Sequence, residues 1–365
     1  MKKIGILTFH NSSNFGALLQ TFGTYQTLVH LGYKPEVINY HSPNKAHLYK
    51  RLHLSHKLSF VANVKGIFSF PLKHAKFKKS SNFRRDYLNI NAPILTSFED
   101  LSRHQERFEK VIVGSDQVWN YDNTQEDKRY FLDFVPAYKR IAYAPSFGKN
   151  VVDDKYTGVY KKYLSEIPHL SVREDAGVTI VQDLIGKRAL QVLDPTLILA
   201  RKDWESISHF NFNFKNYLLV YVVGNRDETL KVAKRIAKEK NLNIVLIATR
   251  LKDYFSGIKV VNPSINAFVG LMQNSSYVVT SSFHGAAFAI HFNKEFTVCL
   301  EKEGSSNSRQ LSLLNMTQLT ERVSFDSQAQ MHTQQTIQWD HVNQILEHER
   351  KKSIDFLASA LKSTS

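Results

Sequence analysis

Short β-branched and aliphatic runs recur along this chain, and most end in a polar loop of small residues followed by an apolar-periodic stretch. That rhythm predicts alternating strands and helices, the mark of parallel α/β sheets. Ile4 to Phe9 reads as a strand, His10 to Gly16 as a polar loop, Ala17 to Leu31 as a helix ending at Gly32, and Pro35 to Tyr40 as the next strand. Residues 41–85 interrupt the pattern. It resumes with a short helix between Phe98 and Phe108 and strands starting at Lys110, Ile141, His169 and Gln191, the last closed by Pro195; Thr179 to Leu184 reads as helical. A second series opens near Tyr217, with strands at Leu218–Val223, Ile244–Ile247, Ile258–Val261, Tyr277–Thr280 and Phe296–Leu300. Helices are expected over Glu228–Lys240 and Ile265–Gln273, and again in the tail from Trp339 to Leu361. The expected architecture is two Rossmann-like halves facing each other across a cleft. The first covers 1–205, with residues 41–85 inserted, and the second covers 206–340. A terminal helix over 341–365 is expected to pack back on the first half.

The segment from Val278 to Ile290 carries the most chemical information. A β-branched run ends at Thr280, Ser281 or Ser282 stands in an N-cap position, and a small-residue apolar helix follows. His284 therefore falls in the first turn of a helix just past a strand's carboxyl end, where open α/β sheets bind ligands. Unpaired N–H groups and the helix dipole there favour an anion. A histidine in that position either handles protons near neutral pH or hydrogen-bonds a carbonyl as a structural group.

Composition narrows the class. A length of 365 residues suits two α/β domains, and 42% hydrophobic with 22% charged residues is ordinary for a globular protein. The single cysteine, Cys299, sits in an apolar run and reads as a buried structural thiol. No Cys/His cluster points to a metal. The apolar run after Lys3 stops at His10, too short for a signal peptide, and no run reaches membrane-spanning length, so a cytoplasmic location is expected.

The net charge of +15 is unevenly spread, with no acidic residue between Glu36 and Asp86. Basic residues in that stretch alternate with apolar ones, a pattern suited to peripheral contact with an anionic membrane through 45–85, or to a phosphate-bearing acceptor. A solvated insertion is the plain alternative. No nucleic-acid motif accompanies the charge, and no nucleic-acid partner is expected.

The strand-exit loops carry polar groups at Asn14, Gly16, Ser115, Asp116, Ser146, Arg173, Asp194 and His284, but no GxGxxG, P-loop or GxSxG pattern appears. Six pieces in order resemble the polysaccharide pyruvyl transferase family: Asn14–Ala17, Val111–Trp119, Tyr143–Gly148, Leu170–Glu174, Val192–Thr196 and Ser282–Gly285. The resemblance implies a two-domain fold like that of the GT-B glycosyltransferases. It implies phosphoenolpyruvate as donor substrate, no cofactor, and a sugar or lipid-linked saccharide acceptor on which two hydroxyls become bridged as a pyruvate ketal. Its arginine and histidine fall on Arg173 and His284 as catalytic residues; a later basic residue falls on Lys302 or Arg309, where the Ser/Asn-rich loop departs from the family's pattern. Asn14, Gly16, Ser115, Asp116, Ser146 and Ser282 complete the expected substrate-binding set. Asp116 also reads as a turn cap, Asp194 as a structural turn and Trp119 as core. A nucleotide-sugar glycosyltransferase on the same scaffold and a non-enzymatic basic binding module are the competing functions.

Overall fold

The computed structural model describes residues 2–44, 60–90, 92–301, 307–326 and 336–363. Two six-stranded, all-parallel sheets form its frame. The first contains β1 (Lys3–Leu7), β2 (Lys34–Val37), β3 (Lys110–Val113), β4 (Arg140–Ala142), β5 (His169–Val172) and β6 (Leu190–Gln191), in the spatial order 2-1-3-4-5-6. The second contains β7 (Tyr217–Tyr221), β8 (Asn243–Ile247), β9 (Lys259–Val261), β10 (Tyr277–Thr280), β11 (Glu295–Cys299) and β12 (Val323–Ser324), in the order 12-11-10-7-8-9. The inner strands β3, β7 and β10 are wholly buried, as continuous Val/Ile/Leu runs require when helices cover both faces.

Chain direction across each sheet reverses at one place: between β1 and β3 in the first, between β7 and β10 in the second. The crevices that bind ligands in open α/β sheets lie at such reversals, outside the strands' carboxyl ends.

The halves share one hydrophobic core. The helix Phe15–His30 is buried all round through its first ten residues, so it shows no polar stripe there. Its threonines satisfy themselves on the preceding turn, as when Thr21 donates to the Ala17 carbonyl at 2.7 Å. Phe15 stacks on Phe268 of the second half with centroids 4.6 Å apart, and Trp204 sits against both Phe22 and Phe288. The helix Trp339–Lys362 follows the second sheet in sequence but lies on first-half residues. Ser353 accepts from the Leu193 amide at 2.9 Å, and Arg350 donates to the Leu197 carbonyl at 2.7 Å.

The basic segment is described in part. Residues 45–59 lie outside the described residues, but 60–88 form one helix that straps the two halves together. Lys76 donates to the Ala248 carbonyl at 2.6 Å and Lys79 to the Asn262 carbonyl, both at the carboxyl ends of second-sheet strands. Phe83 and Leu88 join the shared core, and Arg84 is buried beside them. Interior partners thus occupy charges whose sequence pattern suggested a lipid surface. Helices at Asp154–Ser165, Arg201–Ile207 and Ser308–Met316, and the two-residue β12 beyond the strand expected to be last, also lie outside the sequence expectation.

Candidate active site

A cavity of about 1140 Å³ lies between the two sheet reversals. Its walls come from the four loops that topology singles out: Thr8–Asn14 after β1, Asp116–Gln117 after β3, Val223–Asn225 after β7 and Ser281–His284 after β10. Asn14, Asn225, Ser282 and Asn307, the N-caps of four helices, all line it. Asn14 Oδ1 accepts from the Gly16 amide at 2.8 Å and Ser282 Oγ from the Gly285 amide at 3.4 Å. Four helix starts around one volume give it a positive bias before any side-chain charge is added.

Two glycines permit the approach of the halves at this place. A methyl group on Gly16 would overlap the imidazole of His284, and one on Gly285 would overlap the Thr280 side chain. Gly16 therefore lets a first-half helix start lie against a second-half histidine.

Behind the cavity wall lies a buried charge cluster centred on Asp194. Its Oδ2 accepts from Arg173 Nη1 at 2.8 Å and from Ser115 Oγ at 2.9 Å, and lies 3.7 Å from His284 Nε2. Its Oδ1 accepts from the Thr196 amide at 3.0 Å and hydroxyl at 2.7 Å. Burial pushes the Asp194 pKa up, but the His284 and Arg173 charges and the Thr196 amide together hold it well below the usual carboxylate range. Burial likewise opposes the Arg173 charge, and the Asp194, Asp116 and Glu174 carboxylates outweigh it, raising the pKa. The Arg173 guanidinium lies over the Phe283 ring, 4.4 Å from its centroid. Its Nε and Nη2 are buried with no hydrogen-bond partner among the described residues, as is His284 Nε2.

Arg309 enters from the helix Ser308–Met316 and lines the cavity. Burial, with the Arg173 charge near it, lowers its pKa to about 10, while Glu174 and Asp116 pull the other way. Asp116 also lines the cavity, in a left-handed backbone conformation (φ 70°) that short polar side chains tolerate better than most.

The structure brings Asn14, Gly16, Asp116, Arg173, Ser282, His284 and Arg309 to this one place. Lys302 lies outside the described residues. Ser115 and Ser146 are fully buried behind the wall, where Ser115 holds Asp194 and Ser146 holds Glu174 at 2.8 Å. Both hydroxyls donate to buried carboxylates. Asp194 does cap a turn, as its sequence setting implied, but it also joins Arg173 to His284. Glu174, given no role by the sequence reading although it ends the matching piece Leu170–Glu174, accepts at Oε1 from the Ser146 hydroxyl and from the amides of Phe147 and Gly148. Its place beside the strand-exit arginine in that piece was the available signal. Trp119 is core, stacked on Phe131, and burial pushes the Cys299 thiol up to about 12, leaving it unreactive near neutrality.

A model of the polysaccharide pyruvyl transferase family matches residues 14–302. The chain belongs to that family. No curated protein sequence matches it. Among solved structures, the UDP-N-acetylglucosamine 2-epimerase of Rickettsia bellii superposes with a TM-score of 0.51 at 12% identity, over 99% of this chain and 97% of that one. A UDP-GlcNAc 2-epimerase from Neisseria meningitidis gives 0.49 at 10% identity, over 99% and 98%. At such identities the likeness to the Rickettsia bellii enzyme concerns the fold alone, and with the two parallel six-stranded sheets it is that of the two-domain GT-B arrangement. In this pyruvyl transferase family member the matched span holds Asn14, Asp116, Arg173, Asp194 and His284, and Arg309 lies seven residues beyond its end.

Proposed function

We propose that this protein transfers the pyruvyl group of phosphoenolpyruvate onto two hydroxyls of a saccharide, forming a cyclic ketal and releasing phosphate. The observation that carries the reading is His284 beside the Arg173–Asp194 pair, at the edge of a cavity ringed by helix N-termini and Arg309. Phosphoenolpyruvate presents a carboxylate and a phosphate, and those surroundings suit two anionic groups. Arg309 is the guanidinium positioned to meet one of them; Arg173, held on Asp194, contributes its field from behind the wall.

The chemistry balances without an external reagent. A proton adds to the methylene carbon, C2 becomes oxocarbenium-like, and one sugar hydroxyl attacks it. The C2–O bond to phosphate breaks and the second hydroxyl closes the ring; of the two hydroxyl protons released, one replaces that given to the methylene carbon and the other leaves with the phosphate. His284 is the group for proton transfer or for steadying the departing phosphate as imidazolium. Asp116, facing the cavity, accepts a hydroxyl proton or orients the sugar. A lipid-linked acceptor would bring the protein to a membrane surface, with docking through exposed charges such as Lys78; no helix among the described residues is long and apolar enough to cross a membrane.

The test is phosphate release from phosphoenolpyruvate with a panel of pyranoside acceptors. Acceptor-dependent release should fall about 10²–10⁴-fold in His284→Ala, the usual share of a general acid–base group. A melting temperature raised by a nucleotide-sugar and unmoved by phosphoenolpyruvate would replace this reading with glycosyl transfer.

A further inference from the structure

The turn that closes β6 does more than redirect the chain. We infer that Asp194 is a positioning residue that fixes His284 and stabilises its imidazolium, while the same carboxylate anchors Arg173. The inference rests on the functional reading above only for its kinetic consequence; the electrostatic part stands alone.

Its basis is the sharing of one oxygen. Asp194 is fully buried and Oδ2 faces Arg173 Nη1 at 2.8 Å, Ser115 Oγ at 2.9 Å and His284 Nε2 at 3.7 Å. The last distance is that of an ion pair and too long for a hydrogen bond, and His284 Nε2 has no other partner. Such contacts in unliganded sites commonly tighten when substrate arrives. With Nε2 turned to the carboxylate, Nδ1 lies on the side of Gly16 and the first-half helix start. A carboxylate on one ring nitrogen keeps the proton there and leaves the other nitrogen to take or give one. Thr196 holds Oδ1 by two bonds, so the carboxylate is locked and cannot turn away.

The other charges around His284 do not replace Asp194. Arg173, from the end of β5, lies across the Phe283 ring and opposes an imidazolium; Arg309, from the helix Ser308–Met316, adds to that opposition. Asp116, from the loop after β3, is 3.8 Å from Arg173 Nη2, and Glu174 is 3.8 Å from Arg173 Nε, so the nearest charged partner of both is the arginine, and no ion pair joins either to His284 among the described residues. Among the described residues, Asp194 alone pairs with Arg173 and His284 together. Because it comes from the first half and His284 from the second, the pair also reports that the halves are correctly seated.

The test is an NMR titration of the His284 imidazole in the unliganded full chain, its resonance assigned by its loss in His284→Gln. Asp194→Asn, which removes the opposite charge 3.7 Å from Nε2, should move the titration midpoint down. In kinetics the same variant should cut kcat at pH 7 by about 10²-fold and displace the limb of the pH–rate profile that reports His284. If Asp194→Asn does not fold, Thr196→Val serves: it removes one donor from the carboxylate, keeps the charge, and should raise the midpoint by a few tenths of a unit. A midpoint unmoved in whichever variants fold overturns the inference. Because the titration needs no substrate, a failed pyruvyl transfer assay leaves it standing.

Discussion

The turn after β1 and the turn after β10 are built from the same parts with opposite results. Each strand runs into a threonine, Thr8 or Thr280. Each following helix has a polar N-cap, Asn14 or Ser282, and an early glycine, Gly16 or Gly285. Each turn carries a buried histidine, His10 or His284, facing the same cavity. His10 has both ring nitrogens near neutral oxygens, Thr8 O and Asn39 Oδ1, each at 3.2 Å, with His41 and Arg84 as its charged neighbours. Burial is the main force that lowers its pKa to about 4, and it stays neutral as part of the wall. His284 instead has a locked carboxylate opposite one nitrogen. The groups opposite the ring, neutral oxygens for His10 and a locked carboxylate for His284, separate the wall histidine from the one proposed to react.

The largest effect should come from breaking the contact between the two turns. Gly16→Ala places a methyl group in the space of the His284 ring, although alanine favours the helix itself. Stability lost to overpacking should be about 1–3 kcal/mol. Misplacement of a reacting group by about an ångström costs about 10²-fold in rate, so kcat should fall by that much or more. Gly16→Ala with unchanged kcat and an unmoved His284 titration would separate the turns and reduce Gly16 to a helix-start residue.

The comparison also shows what sequence can carry. Strand periodicity and the serine cap placed His284 correctly, because those signals are local. Asp194 could be read only as a turn: its partners Ser115, Arg173 and His284 arrive from distant loops, and nothing in Asp-Pro-Thr announces them. The strap helix was hidden for a different reason. Its surface faces solvent, the first-half core and the second sheet in turn, so no single apolar stripe marks it, and an internal proline, Pro71, argued further against a helix. β12 is two residues long and was beneath any pattern.

A smaller effect should distinguish the supporting histidine. His10 is held neutral in the folded chain and titrates near its ordinary value when unfolded. Between about pH 6.5 and 4 the unfolded state therefore binds more protons, and stability falls as pH falls through that window. The shift corresponds to roughly 2–3 kcal/mol across the window. His10→Asn should start less stable at pH 8, having lost its packing, but lose less on acidification. Urea unfolding at pH 7.5 and 4.5 measures this; an equal acid loss in both proteins would mean that His10 is charged in the folded wall and that the contrast with His284 fails.

The smallest effect concerns the strap that holds the two turns in register. Lys76 and Lys79 each donate to a second-half carbonyl from a helix whose other face packs in the first half. Charge-assisted bonds of this kind, partly exposed, contribute about 1 kcal/mol each once water's competing bonds are counted. Lys76→Ala with Lys79→Ala should lower the melting temperature by a few degrees. If the strap also sets the closeness of Gly16 to His284, it should depress kcat more than it raises the KM for phosphoenolpyruvate. Binding to anionic vesicles should survive in that variant and weaken instead in Lys78→Ala, whose charge is exposed. The reverse pattern, with vesicle binding lost and stability untouched, would return Lys76 and Lys79 to the lipid surface that their sequence pattern first suggested.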